Sequence, residues 1–383
     1  MIAAYFLLTW LGWIATALAL AGTVYALAAI ALARRFMRAP MPLATGFPPV
    51  TLLKPLFGDE LGLKENLESF CVQNYPTAIQ LVFGVQDASD KAIAVVKQVQ
   101  AAHAALDIEL VIDTRLHGPN PKISNLVNMQ ARARHDLLVL SDSDISVGAD
   151  YLRGVVGALQ PADVGAVTCL YTGTALGNGW SRLTAMGINY QFLPNVLFGN
   201  ALGLAAPCFG STIALKRPVL ERIGGFAAFS GSLADDYEIG RAVRGAGYSV
   251  ALPPFAVAHG CAEQSALDLW SHELRWARTI RILQAPGHWG SLITHPLPLA
   301  LLGSILTGFT PASSVAVAAA LGARLVLKLG IDRVFGKSAG PIWLLPLRDV
   351  LSFGVFFASL FGGKVSWRGS RFRVSAGGAL TRS

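Results

Sequence analysis

Charge is scarce in this chain. Only 14% of its 383 residues are Asp, Glu, Lys or Arg, whereas an ordinary soluble domain carries about 25%. With 53% hydrophobic residues, that shortage excludes a wholly water-exposed protein and places part of the chain in lipid. Between Ile2 and Ala33 there is no charged residue, and from Lys364 to the end there is no acidic one. Cysteine is equally sparse. Cys71, Cys169, Cys208 and Cys261 stand far apart with no CxxC pair, which argues against a zinc ribbon or a disulfide framework and fits a reducing compartment. No internal repeat or low-complexity run is present.

What is there begins with a membrane anchor. Ile2 to Ala33 exceeds the roughly 20 apolar residues that a bilayer-spanning helix needs. A cleaved signal peptide would carry its basic residues before a shorter apolar core; here Arg34, Arg35 and Arg38 come after it. The positive-inside rule puts these arginines, and the chain that follows, in the cytoplasm, as at a bacterial inner membrane. The net charge is +8. Because the basic patches flank apolar segments, anionic lipid headgroups are the expected partner and nucleic acid is not.

Past about residue 290 the chain turns apolar again. Leu297–Phe309 and Val315–Leu329 read as a hairpin of spans around Thr310-Pro311, and Ile342–Phe361 as a third segment interrupted by Arg348-Asp349. Three full spans would put the basic tail outside, so the last segment is expected to be re-entrant or interfacial. The expected division is an anchor with its basic flank (1–38), a catalytic domain (39–290), C-terminal membrane segments (291–363) and a basic tail (364–383).

The middle of the chain has a different rhythm. Val50–Leu53, Ile79–Val85, Ile108–Ile112, Leu137–Leu140 and Ala166–Leu170 are short apolar runs of buried-strand type. Between the first two, Leu63, Leu67, Phe70 and Cys71 share a helical face; Ile93, Val96 and Val99 do so less strictly between the next two. Strand alternating with helix predicts an α/β fold with a mostly parallel sheet. In such sheets ligands bind beyond the C-terminal strand ends, at a topological switch point.

Carboxylates stand where that rule would use them. Asp87 follows one apolar run, Asp142 and Asp144 follow another in SDSD, and Asp235-Asp236 lie in SLADDYEIG after the turn IGGF. HELRW, His272 to Trp276, comes further on. Singly, each has a plain explanation: a turn-forming Asp, acids capping a helix, an ordinary amphipathic face. Together they raise another. Carboxylates are costly to desolvate unless paired, and two of them at i and i+2 could serve one hard divalent cation that also takes phosphate oxygens.

In that order, LLKPL, VQD, NPKISN, SDSD, ADDY and xxxRW resemble the family-2-like glycosyltransferases of GT-A fold. They look most similar to ceramide glucosyltransferases and bacterial hopanoid-lipid glycosyltransferases, from about Val50 to Ile282. The resemblance implies a GT-A domain with a Rossmann-like, mostly parallel sheet, a UDP-sugar donor and a Mg²⁺ or Mn²⁺ ion. It implies Asp87 and Asp142 as nucleotide-sugar contacts, Asp142 and Asp144 as metal ligands, and Asp236 as catalytic base. Arg275 and Trp276 match the motif's RW; Lys122, in NPKISN, is a candidate phosphate contact. His272 departs from the pattern, which has Gln or Arg there, but can still donate to a phosphate or sugar oxygen.

The expected reaction is a single inverting displacement. One base deprotonates an acceptor hydroxyl while a metal ion neutralises the departing UDP. The membrane segments point to a lipid acceptor, ceramide or a hopanoid polyol, with glucose or N-acetylglucosamine as the sugar. Gln191–Gly210 is apolar enough to lie at the interface or in the core. Two alternatives stand beside this reading: sugar transfer to a polyprenyl phosphate, and a non-catalytic lipid-binding scaffold.

Overall fold

A computed structural model describes residues 2–362, 364–367, 370–374 and 380–382. The chain forms two compact units that do not follow its linear order. One gathers residues 1–38, 177–205 and 263–363; the other gathers 39–176, 206–262 and 364–383.

In the second unit the buried runs pair into a seven-stranded sheet. Its strands are β1 (Val50–Pro55), β2 (Ile79–Val85), β3 (Asp107–Ile112), β4 (Leu137–Leu140), β6 (Val164–Thr168), β8 (Ile213–Lys216) and β9 (Ser249–Ala251), in the order β3-β2-β1-β4-β8-β6-β9. β3 through β4 run parallel, while β8 is antiparallel to both its neighbours. Strands covered on both faces read as unbroken apolar runs rather than alternating ones. Hence every residue of β1 and β4 is buried. The chain passes outward from β1 to β2 and β3, then returns to place β4 on β1's other side. The switch point therefore lies between the C-terminal ends of β1 and β4.

A second, three-stranded sheet joins β5 (Ile145–Ser146), β7 (Leu170–Ala175) and β10 (Ala256–Cys261), in the order β5-β10-β7. The apolar run Ala166–Leu170, expected to be one strand, is divided here: β6 ends at Thr168 and β7 begins at Leu170, in different sheets. Continuous burial looks the same on either side of that break. The core beneath the large sheet includes Leu53, Val82, Ile123, Leu140, Ile213 and Ile239.

The other unit is helical. Among the described residues, three of its helices are long and apolar enough to cross a membrane: Ala3–Met37, Pro311–Phe335 and Ile342–Ser359. The sequence placed the interrupted segment last. In the structure it is the first C-terminal one: Ala285–Thr294 and Pro296–Leu306 form a pair bent by 69°. Pro296 starts a new helix just after His295, and that helix has only 11 residues, about 16 Å of rise against an apolar thickness of about 30 Å. Arg348 and Asp349 do not break the last helix, because each is paired inside the unit. Arg348 grips Glu273 with both nitrogens, at 2.7 and 2.6 Å. Asp349 takes two bonds from Arg324, at 2.8 and 2.6 Å.

Gln191–Gly210 is largely helical. A wide π-turn, Ile188–Phe192, leads into the helix Leu193–Ala201. Beyond residue 363, Lys364–Trp367, Ser370–Val374 and Leu380–Arg382 form an antiparallel sheet. Of the basic residues of this tail, Arg368 lies outside the described residues.

Candidate active site

Asp142, Asp235 and Asp236 gather around Lys122 beyond the end of β4. Asp142 stands two residues past the end of β4. Beside it comes the helix Pro121–Gln130, whose start is specified by sequence: Asn120 caps it, its side chain accepting from the Ile123 amide at 3.1 Å, and Pro121 occupies the first turn. That start delivers Lys122. A second helix, Asp235–Gly245, carries Asp235, Asp236 and Glu238 in its first turn, where the helix dipole favours negative charge. Lys122 Nζ lies 2.7 Å from Asp142 Oδ1 and 3.0 Å from Asp235 Oδ2. Burial works against its ammonium, but Asp142, Asp235 and Asp236 together hold its pKa above the usual lysine range.

The two tandem acids are thereby told apart. Asp235 is buried and occupied by Lys122, with the Asn120 amide 3.4 Å from its other oxygen. Asp236 is only half-buried. Its Oδ1 accepts from the Tyr237 amide at 2.8 Å and its Oδ2 from the Gly210 amide at 3.1 Å. Burial, then the negative charge of Asp235, push its pKa up to about 6; Lys122 opposes them. A carboxylate raised toward neutrality and still reachable has the character of a general base.

Gly210 was not singled out from sequence, yet it ties the two acids together. Its amide donates to Asp236, and its carbonyl accepts from the Asp142 amide at 3.0 Å. A Cβ at this position would collide with Asp142 Oδ2 and come within 3.0 Å of Lys122 Nζ. Gly210→Ala should therefore lower turnover by about a hundredfold, the scale of an ångström-size misplacement, while leaving the melting temperature nearly unchanged. Steady-state rates alongside thermal melts check this, and near-normal turnover would show that the close packing has no catalytic consequence.

Lys54 lies inside LLKPL, on β1. It is fully buried. Its Nζ donates to the Asp142 carbonyl at 2.7 Å, approaches Ser141 Oγ and the Ile145 carbonyl at 3.4 Å, and lies 3.8 Å from the centre of the Phe70 ring. It pins the SDSDI turn from beneath. Burial pulls its pKa down to about 7 against the opposing charges of Asp144, Asp142 and Glu60. The available signal was a lysine inside an otherwise apolar strand. Ser143 is held in turn by Glu60, at 2.6 Å.

Asp144 is partly exposed, its Oδ1 3.5 Å from His259 Nδ1. β10 brings this histidine in through pairing with β5, His259 opposite Ile145. No cluster of three or more His, Cys, Asp or Glu side chains is formed among the described residues. The donor chemistry nevertheless fits a hard divalent cation that completes its shell with phosphate and water, since Asp142 and Asp144 offer carboxylate oxygens from one short turn. Asp87 lies on the loop after β2, at the same C-terminal edge of the sheet. It is exposed and turned onto Ser89, whose amide and hydroxyl donate to its Oδ1 at 2.8 and 2.7 Å. These bonds hold its pKa below the usual carboxylate range.

His272, Arg275 and Trp276 belong to the helical unit. They lie on the helix Ala266–Leu283, capped by Ser265, whose hydroxyl accepts from the Asp268 amide at 3.1 Å. His272 and Trp276 are one turn apart and meet edge to face, ring centres 4.4 Å apart. The Arg348–Glu273 pair fastens this helix to the last apolar one.

Comparison with known proteins identifies the family and the fold. The model of glycosyl transferase family 21 matches residues 14–380. Ceramide glucosyltransferase 1 of Caenorhabditis elegans is 24% identical over 353 residues, 88% of this chain and 74% of the relative. Ceramide glucosyltransferase 3 of the same organism is 25% identical over 359 residues, 88% and 75% of the respective chains. Among solved structures, a mannosyltransferase from Pyrobaculum calidifontis in complex with GDP-Man and Mn²⁺ aligns with a TM-score of 0.53 at 23% identity, covering 92% of this chain and 99% of that one. That likeness shows the shared fold, the GT-A arrangement expected from the motifs.

Proposed function

Since the chain belongs to glycosyltransferase family 21, we propose that this membrane glycosyltransferase moves one sugar from a UDP-sugar to a hydroxyl of a membrane lipid, with inversion. The observation that carries the reading is Asp236: a half-buried carboxylate of raised pKa that is not ion-paired with Lys122, whereas Asp142 and Asp235 both are. One base suffices for direct displacement, whereas a retaining scheme of the glycosidase type needs a second carboxylate as nucleophile. Family relatives named as ceramide glucosyltransferases favour UDP-glucose as donor and ceramide as acceptor. UDP-N-acetylglucosamine and a hopanoid polyol are the alternative pair.

In this mechanism Asp236 takes the proton of the acceptor hydroxyl as its oxygen attacks the anomeric carbon. Lys122 holds Asp142 and Asp235 in place and contacts donor phosphate. Asp87 contacts the nucleotide. Arg275 pairs with phosphate oxygens and Trp276 covers an apolar or sugar face. Mg²⁺ or Mn²⁺, held by Asp142 and Asp144, would supply Lewis-acid stabilisation of the leaving diphosphate. Arg34, Arg35 and Arg38 support a cytoplasmic catalytic side, where UDP-sugars are made.

The test is product identification. Detergent-solubilised protein is incubated with Mn²⁺ or Mg²⁺, ceramide or a host lipid extract, and each UDP-sugar in turn. Mass spectrometry should find one hexose, or one N-acetylhexosamine, added to a neutral lipid. A sugar on polyprenyl phosphate would replace this reading with the phosphate-acceptor one. Lipid binding with neither UDP release nor a glycolipid product would leave the scaffold.

A further inference from the structure

His272 is the one position where the RW motif departs from its usual Gln or Arg, and the structure gives that departure a partner. Glu263 Oε1 lies 2.6 Å from His272 Nδ1. The Glu263 side chain is 8% exposed and that of His272 is 23% exposed. Burial works to raise the Glu263 pKa, but the His272 ring and the Thr184 hydroxyl outweigh it and hold the carboxyl below the usual range. A charged carboxylate in such a place is costly unless it is hydrogen-bonded, and this ring supplies a bond at 2.6 Å. The ring also meets Trp276, edge to face.

The chemistry of imidazole says what such a partner does. A neutral ring has two tautomers, and the hydrogen bond at one nitrogen decides what the other offers. A carboxylate can only accept, so Glu263 requires the proton on Nδ1. That fixes the ring's rotation and leaves Nε2 as the atom available to a ligand. Gln needs no such help, because its amide carries a donor and an acceptor together.

We propose that Glu263 is a positioning residue: by accepting from Nδ1 it fixes the tautomer and the turn of His272, so that Nε2 is presented to the substrate and the Trp276 ring is buttressed. This rests on the reading that the motif helix contacts donor or acceptor. Glu263 itself touches neither.

The test is a double-mutant cycle on the full chain in detergent: wild type, Glu263→Gln, His272→Gln and the pair. Transfer rates are taken over a range of UDP-sugar concentrations. Removing an orienting partner of a functional His typically costs 10- to 100-fold. Glu263→Gln should therefore lower kcat/KM about tenfold or more when residue 272 is His, and change it within about twofold when residue 272 is Gln. Equal losses in both backgrounds would mean that Glu263 only supports packing, and would overturn the proposal. An independent readout is NMR of ¹⁵N-histidine-labelled protein, with the His272 signals assigned by their loss in His272→Gln. The proton should sit on Nδ1 in wild type and shift toward Nε2 in Glu263→Gln. A proton on Nε2 in wild type would overturn the proposal even if His272→Gln abolished transfer and left the cycle unreadable. Absence of sugar transfer by wild type, with the Nδ1 signature intact, would instead sink the glycosyltransferase reading.

Discussion

Asp236→Asn is expected to lower transfer to a lipid hydroxyl by about 10²- to 10⁴-fold, the usual contribution of a positioned general base. The substitution keeps size and shape. It takes away the proton acceptor and one of the two lone-pair sites that now accept from the Gly210 and Tyr237 amides. Affinity for the UDP-sugar should change little, because Lys122, Asp142 and Asp144 remain. Asp235→Asn should behave differently. It removes one carboxylate from Lys122, loosens the ammonium over Asp142, and so should show mainly as a raised KM for the donor.

The acid limb of the pH profile reports the same group. With its pKa raised to about 6 by burial and by Asp235, Asp236 is a working base only when deprotonated. Turnover should rise with pH through about 6, level off above it, and fall as pH drops below. Initial rates of the purified protein between pH 5 and 8, with donor binding measured in parallel, separate these effects. An Asp236→Asn enzyme retaining more than about a tenth of wild-type turnover would remove Asp236 from the role of base. Full transfer to polyprenyl phosphate by that variant would show that the acceptor is already an anion.

How much of this was legible beforehand depends on range. The strands β1, β2 and β4 could be read because parallel strands covered on both faces are continuous apolar runs, and Ile79–Val85 and Leu137–Leu140 have the bounds expected from sequence. The Asp142/Asp144 turn could be located because the chemistry stands directly after such a run. Three things could not. Gly210 acts through its backbone and through the side chain it lacks, so nothing local marks it among the 39 glycines. Glu263 matters only because a helix nine residues further on returns His272 to it. The apolar segment around Tyr190 gives no local sign of the helices it would cluster with, because that grouping is set by long-range pairs such as Tyr190 Oη with Asp332, at 2.5 Å.

Arg324→Met is expected to be the most destabilising single change in the helical unit. Arg324 is 2% exposed on the apolar helix Pro311–Phe335. Its Nε and Nη2 reach the two oxygens of Asp349 at 2.8 and 2.6 Å, and its Nη1 donates to the Tyr190 carbonyl at 2.8 Å. That carbonyl lies in the π-turn Ile188–Phe192, where the widened backbone leaves some carbonyls outside the regular helical ladder. One guanidinium thus closes three polar positions that neither lipid nor packed side chains could satisfy. Replacing it alone leaves the Asp349 carboxylate buried and uncompensated, a loss of about 3–5 kcal/mol. Asp349→Leu alone should cost as much, by stranding the arginine. The pair Arg324→Met/Asp349→Leu removes both charges and should recover most of the loss, since apolar replacements of buried ion pairs are often neutral or better; only the Tyr190 carbonyl would then lack its donor. Thermal unfolding of the four proteins in one detergent, followed by tryptophan fluorescence, decides the matter. If the double variant melts as low as the single ones, the pair is not what holds these helices. If Arg324→Met melts like wild type, the carboxylate has found water, and this part of the unit is wetter than its burial implies.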